Sequence, residues 1–388
     1  MTRGGARTES GGLSTTERTR GRQAPAGATR GPASGSGGGI GLRQPEWALL
    51  GLVAIVTAAA GAARYSAFGS HVLAFVLAGL ALAGGAWIVA LATEQLGRRT
   101  GPAIAGFTQS TIGNLPEFFV VIFALQAGER IVAETAIVGS ILVNALLVLG
   151  LVIAVGARRA SDGVMRFSRR LPNDTATLLL LAVFIIVLVG LANAAHDPAS
   201  HHVETVSLIG AIAILLVYST WLRQYLRTGE REEVEPARLP LATALILLAA
   251  AGTQSAFVSD WFINALAPAI HTLHISEAFA GLVIVSIAGN AVENVTGIVL
   301  AAKGRSELAI SVVKNSVAQI AAFLYPALVL VSLLTATSLT FALAPVYIGA
   351  LFGMAVIVWQ ITGDGEATLF EGLALISVFV ILAAVAAF

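Results

Sequence analysis

The sequence has 388 residues, of which 12% are charged and 56% hydrophobic. An ordinary soluble domain has about 25% charged residues, and the mean hydropathy of +0.84 implies more apolar surface than a soluble globule can bury, which excludes a water-soluble enzyme. The net charge of +1 argues against nucleic acid as a partner, and the lack of cysteine excludes disulfides, thiolate metal sites and cysteine nucleophiles. The lipid bilayer is therefore the predicted solvent and partner.

Residues 1–45 differ in composition from the rest of the chain. They are rich in Gly, Ser, Thr and Ala and carry seven arginines against two glutamates. Such a segment cannot bury enough apolar surface to offset its ordering entropy, so it is predicted to be a disordered basic tail. A secretory signal peptide fits poorly because the first apolar run starts too late, whereas an organellar transit peptide is compositionally possible.

Apolar stretches follow one another from Trp47 to the end of the chain. Most are long enough to cross a hydrocarbon core about 30 Å thick, and helices are expected because the bilayer offers the backbone no hydrogen-bond partners. The first, within 46–69, is predicted to be a separate transmembrane helix. We predict eleven spans with the approximate limits 47–64, 71–93, 101–127, 131–156, 172–194, 204–226, 239–258, 277–302, 307–334, 340–361 and 367–387.

The basic residues predict the orientation of these spans. With the amino terminus in the cytoplasm, 20 of the 23 Lys and Arg residues fall in the tail or in inner loops. Only Arg64 and Arg130 fall on the other side, and Lys314 lies within a span. This bias follows the positive-inside rule and predicts a carboxyl terminus outside the cell, in a multi-pass protein of the bacterial inner membrane.

A sequence motif occurs twice in the predicted spans. Gly113-Asn114-Leu-Pro-Glu117 aligns with Gly289-Asn290-Ala-Val-Glu293, 176 positions later, and the alignment continues without a gap for about forty positions. Five spans separate the copies, so they should cross the membrane in opposite directions, as in the inverted repeats of secondary transporters.

These patterns predict the domain organisation. The fold class is an all-α polytopic membrane protein of eleven transmembrane helices, one extra amino-terminal helix plus two inverted five-helix repeats. Residues 70–228 form repeat 1 with helices 2–6, residues 229–237 an acidic cytosolic linker, and residues 238–388 repeat 2 with helices 7–11.

Glu117 and Glu293 are predicted to lie near the bilayer centre. A charged carboxylate there costs several kcal/mol unless it is paired or hydrated, so both are functional candidates. Asn114 and Asn290 lie three residues earlier, on the same helical face. Two carboxylates with neutral oxygens suit Ca²⁺, which takes about six to eight oxygen ligands. The same carboxylates can bind protons, so metal and protons would compete, as antiport requires. Alternatively, each glutamate only locks helix packing.

The motif carries a resemblance to a known family. Over residues 70–388 the chain resembles the calcium/cation antiporter superfamily, and most closely its calcium/proton exchanger branch. The run Gly139–Asn144, the stretch Ser316–Gln319, and Gly363-Asp364-Gly365 followed by Glu371 support it. The resemblance implies seven site residues, with the glutamates as shared ligands of cation and protons, the asparagines assisting, and the others lining the site: Glu117, Glu293, Asn114, Asn290, Ser140, Ser316 and Gln319.

The sequence departs from that branch at several positions. Asn294 stands where the branch usually has His, Asn315 replaces a glycine, and Val143 replaces a hydroxyl residue. Lys314 is the only basic residue within a span, and we expect it to pair with an acid or to extend towards the cytoplasm, with an altered cation preference as the alternative. The sodium/calcium exchanger branch has an acidic or amide residue where Ile320 stands, so the resemblance makes sodium coupling the weaker option.

The predicted function is a secondary active antiporter that exchanges calcium, or a related divalent cation, for protons at the two glutamates. It needs no cofactor, because Ca²⁺ and H⁺ are transported, and it could form a homo-oligomer. A sodium-coupled calcium or monovalent cation/proton exchanger is the alternative. An intramembrane enzyme is disfavoured because motifs such as His-Glu-x-x-His and Gly-x-Ser-x-Gly are absent. A non-transporting scaffold is a third possibility.

Overall fold

A computed structural model describes residues 41–66, 69–100, 113–168, 170–228, 237–335 and 337–388. Residues 1–40 of the predicted basic tail lie outside the described residues. The same holds for residues 229–236 of the predicted acidic linker and for residues 101–112 at the beginning of the third predicted span.

Helices dominate the described part of the chain. We number them α1 to α12 and the two strands β1 and β2. In chain order the elements are α1 (Gln44–Tyr65), α2 (His71–Thr100), α3 (Leu115–Gln126), α4 (Arg130–Arg159), β1 (Val164–Arg166), α5 (Arg170–Ala194), a 3₁₀ turn (Pro198–His202), α6 (Val203–Thr228), α7 (Leu241–Leu273), α8 (Glu277–Gly289), α9 (Ala291–Ala302), α10 (Ser306–Ser332), α11 (Pro345–Thr362), β2 (Glu366–Thr368) and α12 (Leu369–Ala387).

The lengths and composition of these helices are those of a multi-pass membrane protein. Within the described residues, nine helices are long and apolar enough to cross a bilayer, or ten if α8 and α9, bent by 62° at their junction, count as one span. Helix α3 is apolar but has only 12 residues, and it ends the third predicted span. The prediction of a helical polytopic membrane protein is thus confirmed, whereas the number eleven stays a prediction.

Two predicted spans differ in extent from the helices. Helix α7 has 33 residues and ends at Leu273 rather than at 258. It continues because buried apolar residues such as Phe262, Leu266 and Ile270 recur at helical spacing and maintain one packed face. Helix α11 begins at Pro345 rather than at 340, since proline favours the first turn of a helix.

A small antiparallel sheet accompanies the helices, a detail that the sequence did not predict. Strand β1 pairs with β2, so that Met165 lies opposite Ala367, and both residues are buried. Each strand follows a glycine at positive φ, Gly163 (+76°) and Gly365 (+79°), a conformation that glycine adopts without steric cost. The sheet joins the connection after α4 to the connection after α11.

Helices α4 and α10 form the centre of the described fold. Within their apolar windows 89% and 67% of the residues are buried, compared with 17% in α1 and 22% in α12. Both central helices contain a π-helical segment, Val143–Val148 in α4 and Ile320–Leu324 in α10. Such segments are rare and often mark functional sites.

Candidate ion-binding site

The two copies of the motif have the same local structure. Asn114 and Asn290 precede α3 and α9, each of 12 residues, and have similar backbone angles (φ −93°, ψ 12° and φ −103°, ψ 16°). Glu117 and Glu293 lie in the first turns of these helices. The amino terminus of a helix carries partial positive charge and favours a carboxylate there. The folded backbone therefore supports a negative charge at each motif.

Glu117 is the centre of a buried hydrogen-bond cluster. Its side chain is 6% exposed, and its Oε1 accepts a hydrogen bond from Ser140 Oγ of α4 at 2.5 Å. The same oxygen accepts a second hydrogen bond from Asn290 Nδ2, and Asn290 Nδ2 also donates to Ser286 O at 3.1 Å. Three of the seven predicted site residues, which come from both copies of the aligned region, thus meet around one carboxylate oxygen.

The second oxygen of Glu117 is available for further interactions. Glu117 Oε2 is buried, and within the described residues it has no hydrogen-bond partner. Gly289 allows this close approach, because a Cβ atom at Gly289 would lie 2.9 Å from Glu117 Cγ. The carboxylate borders a small cavity with an empty volume of about 240 Å³, lined by Glu117, Val120, Val121, Ala136, Ile137, Ser140, Val285 and Gly289.

The corresponding residues around Glu293 are arranged differently. Glu293 is partly exposed and close enough to Glu117 for the two side chains to interact electrostatically. Ser316 and Asn114 are buried, but Ser316 Oγ and Asn114 Nδ2 have no partner in the described part of the chain. Gln319 lies near Ser316 in α10 and is partly exposed.

We call Glu117, Ser140 and Asn290 the Glu117 subsite, and Glu293, Ser316 and Asn114 the Glu293 subsite. The 176-residue offset relates the two sets member by member. In the Glu117 subsite both donors bind the carboxylate, whereas in the Glu293 subsite neither equivalent donor has a partner among the residues that the structure describes. The structure therefore combines one assembled and one unassembled subsite.

Neutral oxygens would supply most of the ligands of a cation at this site. No group of three or more His, Cys, Asp or Glu side chains able to hold a metal occurs within the described residues. Instead, a buried amide residue lies three positions before each glutamate, and buried hydroxyl residues lie in α4 and α10. This donor set suits a hard cation such as Ca²⁺, which accepts carbonyl and amide oxygens besides carboxylates.

Lys314 is buried in the central helix α10, with 2% of its surface exposed. Its Nζ donates to Thr362 Oγ1 at 3.0 Å, and among the described ion pairs none includes it. Thr362 is the last residue of α11, where partial negative charge on the helix end favours a cation. The expected acidic partner is therefore not found, and the ammonium group interacts instead with the end of α11 that is predicted to face the cytoplasm.

Two polar residues near the site were not among those predicted. Asn144 is fully buried in the π-helical segment of α4; its Nδ2 donates to Ser140 O at 3.0 Å, and its Oδ1 has no partner among the described residues. Ser286 Oγ donates to Ala136 O at 2.9 Å. Asn144 ends the run that supports the family resemblance, and Ser286 lies three residues before the second copy of the motif, so the sequence contained a signal for both.

Within the described residues of this helical membrane protein, the helix broken between α8 and α9 places Asn290 against the buried carboxylate of Glu117, an arrangement typical of a secondary transporter. The sodium/calcium exchanger protein family matches residues 70–223 and 243–388. Because this match covers most of the chain, the chain belongs to that family.

Individual relatives agree with this assignment. A vacuolar calcium ion transporter of Schizosaccharomyces pombe is 31% identical over 323 residues, covering 79% of this chain and 77% of the relative. The Ca²⁺/H⁺ antiporter ChaA of Bacillus subtilis is 29% identical over 301 residues, covering 75% of this chain and 85% of the relative.

Solved structures have the same fold. Native YfkE has a TM-score of 0.74 and 26% identity, covering 87% of this chain and 99% of YfkE. The H⁺/Ca²⁺ exchanger CAX, with a TM-score of 0.70 and 17% identity, covers 88% of this chain and 91% of CAX and shows similarity of fold alone. The resemblance predicted from the motif, including its calcium/proton exchanger branch, is confirmed.

Proposed function

We propose that this chain is a secondary active antiporter that exchanges Ca²⁺, or a related divalent cation, for protons across the bacterial inner membrane. The main support is the contact between Asn290 and Glu117, which lie 173 residues apart in the sequence. Both copies of the motif thus contribute to one buried site, as a midplane site between two repeats requires. The relatives named above as calcium transporters and Ca²⁺/H⁺ antiporters support the identity of the transported ions.

The proposed site consists of Glu117, Glu293, Asn114, Asn290, Ser140, Ser316 and Gln319. One divalent cation, or about two protons, neutralises the two glutamates, so that each kind of occupant excludes the other. This exclusion couples the two fluxes without a cofactor or a chemical reaction. The site therefore performs transport rather than catalysis.

The proposed topology has eleven spans, with the amino terminus in the cytoplasm, the carboxyl terminus outside, and inverted repeats at 70–228 and 238–388. The matching first turns of α3 and α9 support the repeats, as do the π-helical segments at equivalent places in α4 and α10. Helices α2 and α7, the first of each repeat, pack together, and Gln254 Nε2 of α7 donates to Ala81 O of α2 at 2.8 Å. Movement of this pair over α4 and α10 provides alternating access.

Calcium uptake by reconstituted vesicles tests the function. An outward proton gradient should drive calcium uptake by the unmodified protein, and Glu117→Gln or Glu293→Gln should abolish it. The control is Glu366→Gln, which removes a half-exposed carboxylate on β2 and should leave uptake unchanged. Full uptake in either midplane variant would contradict the proposed site. Uptake that requires a sodium gradient would favour the sodium-coupled alternative.

A further inference from the structure

Helix α1, which precedes both proposed repeats, is hydrogen-bonded to the α7 segment at three depths. The three pairs are Glu46–Arg238, Thr57–Gln254 and Tyr65–Trp261. Their donor–acceptor distances are 2.8, 3.1 and 3.2 Å in that order. Glu46 lies in the first turn of α1 and Tyr65 is its last residue, so the contacts extend along the whole helix.

Gln254 of α7 binds both α1 and α2. Its Nε2 donates to Thr57 Oγ1 of α1 at 3.1 Å and to Ala81 O of α2 at 2.8 Å. Close to this point α1 also packs directly against α2, since a Cβ atom at Gly84 would lie 2.7 Å from Val53 Cγ2. The three helices therefore meet at one place, which we call the Gln254 junction (Val53, Thr57, Ala81, Gly84 and Gln254).

The cytoplasmic ends of the same three helices are joined by Arg238. This residue precedes α7, and its guanidinium group donates to both carboxylate oxygens of Glu46 in α1, at 2.8 and 3.3 Å. The backbone nitrogens of Arg238 and Leu239 donate to Gln95 Oε1 of α2, at 2.9 and 3.3 Å. Gln95 is fully buried. The start of α7 is thus attached to α1 and to α2 at once.

The remaining surface of α1 is largely exposed. Only 17% of its apolar window is buried, and among the described elements it packs mainly against α2 and α7. Lipid tails are as apolar as the side chains of α1, so the hydrophobic effect does not hold α1 to the protein within a bilayer. Hydrogen bonds and close packing therefore determine which helices α1 follows.

We propose that α1 belongs to the moving part of the transporter, so that α1, α2 and α7 pass between the two access states as one body over α4 and α10. This inference rests on the alternating access proposed above, in which α2 and α7 move. A stationary α1 would have to break its contacts with α7 at all three depths in every transport cycle. The helix outside the repeats thus enlarges the moving unit and leaves the central helices unchanged.

A disulfide between α1 and α2 tests the proposal. The natural sequence has no cysteine, and a Cβ atom at Gly84 would lie 3.3 Å from Val53 Cβ, close to the distance of about 3.5–4.5 Å found in disulfides. Oxidation of the Val53→Cys/Gly84→Cys double variant should change proton-driven calcium uptake by vesicles less than about twofold. Loss of uptake on oxidation, with recovery on reduction, would overturn the proposal. The two single variants, treated with the same oxidant, are the controls.

Distances between spin labels test the movement itself and need no disulfide. Cysteines at the exposed positions Ser66, His271 and Ile131 carry labels at the ends of α1, α7 and α4 that are predicted to face outwards. The labels are measured in pairs in vesicles, at low pH and with saturating Ca²⁺ at neutral pH. The Ser66–Ile131 and His271–Ile131 distances should shift together by about 2–5 Å, while the Ser66–His271 distance stays constant. A shift of His271–Ile131 alone, or no shift in any pair, would overturn the proposal.

Loss of the contacts should release α1 from α7. Thr57→Val combined with Tyr65→Phe removes two of the three acceptors on α1, so the distribution of distances between the α1 and α7 labels should broaden. Thr253→Val is the matched control, because the Thr253 hydroxyl donates to Ala249 O within its own helix. An unchanged distribution in the double variant, or equal broadening in the control, would contradict the proposed attachment.

Calcium uptake by the unmodified protein separates this inference from the proposed function. If the labels shift as expected but a proton gradient drives no uptake, α1 remains part of the moving unit and the antiport is rejected. If uptake is normal but α1 keeps its distance from α4 while α7 moves, the antiport stands and the inference is rejected.

Discussion

The Glu117 and Glu293 subsites are built from equivalent residues but differ in their hydrogen bonds. Glu117 accepts from both Ser140 and Asn290, whereas the hydroxyl of Ser316 and the amide nitrogen of Asn114 have no partner in the described chain. A repeated motif thus specifies the donors available to each carboxylate but not whether they are engaged at a given moment. In the proposed site, Glu117 is therefore the carboxylate already held in position by hydrogen bonds, and Glu293 is the one expected to complete the site.

Asparagine substitutions should produce the largest contrast between the subsites. Asn290→Ala removes the donor to a buried carboxylate, and an unsatisfied charged group of this kind costs roughly 1–3 kcal/mol or more. Asn114→Ala should change stability by less than about 0.5 kcal/mol, because Asn114 Nδ2 makes no hydrogen bond within the described residues. Thermal unfolding of the purified proteins in detergent measures both. Equal losses would show that the subsites do not differ.

Alanine at Gly139, where α4 packs closely against α8, should have the next largest effect. Gly139→Ala places a methyl group within 2.4 Å of Leu282 O, and such overpacking costs about 1–3 kcal/mol. Gly349→Ala in α11 is the matched control, since a Cβ there has nothing within 4 Å, and alanine should stabilise the helix by up to about 1 kcal/mol. The unfolding midpoints should therefore shift in opposite directions, and a stabilised Gly139→Ala would contradict the contact.

Lys314 has Val138 as its equivalent in the first half. Substitution of Lys314 should change the stability of the protein less than substitution of Asn290 or Gly139. Thr362→Val removes the partner of a buried ammonium group and should destabilise the protein by about 1–3 kcal/mol. Lys314→Met removes the charge itself and should be neutral or stabilising by about 1 kcal/mol. In the double variant, Thr362→Val should no longer be costly, because no ammonium group remains to be satisfied. Persistence of the full cost would exclude the Lys314–Thr362 interaction as its cause.

Loss of the ion pairs of Arg166 at the small sheet should have the smallest effect on the unfolding midpoint. Arg166 binds Asp162 at 2.6 Å and Glu366 at 3.3 Å, with all three side chains about half exposed. The Arg166 hydrogen bond holds the pKa of Asp162 below its usual 3.8. The stabilisation is therefore present above about pH 4 and is lost as the pH falls through the lowered pKa. Arg166→Ala should lower the unfolding midpoint slightly at pH 7 and not at pH 2, and an equal shift at both would exclude the ion pair.

The general architecture could be predicted from the sequence because the bilayer restricts the possibilities so strongly. Long apolar runs must be helices in the bilayer. A charged carboxylate within such a run is costly, and this made Glu117 and Glu293 the functional candidates. The pairing of Glu117 with Ser140 was implied by a family resemblance. The hydrogen bond from Asn290 to Glu117 agrees with the proposal that two repeats face each other, but no spacing along the chain predicts this contact.

Other features could not be predicted because they depend on contacts distant in sequence. The end of α7 at Leu273 depends on packing rather than on hydropathy, and three-residue strands such as β1 are too short to show an alternating pattern. The partner of Lys314 was not predicted either, because it is a threonine at a helix end rather than an acidic residue. The two subsites differ in conformation, and the sequence does not predict this difference because their residues are equivalent.

The hydrogen bond from Asn290 to Glu117 has a consequence for the biogenesis of the protein. The two residues are separated by 173 positions, so the ribosome needs roughly 10 to 30 seconds to add the second after the first. During this interval Glu117 has been synthesised but lacks that donor. The nascent amino-terminal portion should therefore depend on lipid headgroups, trapped water or an insertion chaperone until translation supplies the rest.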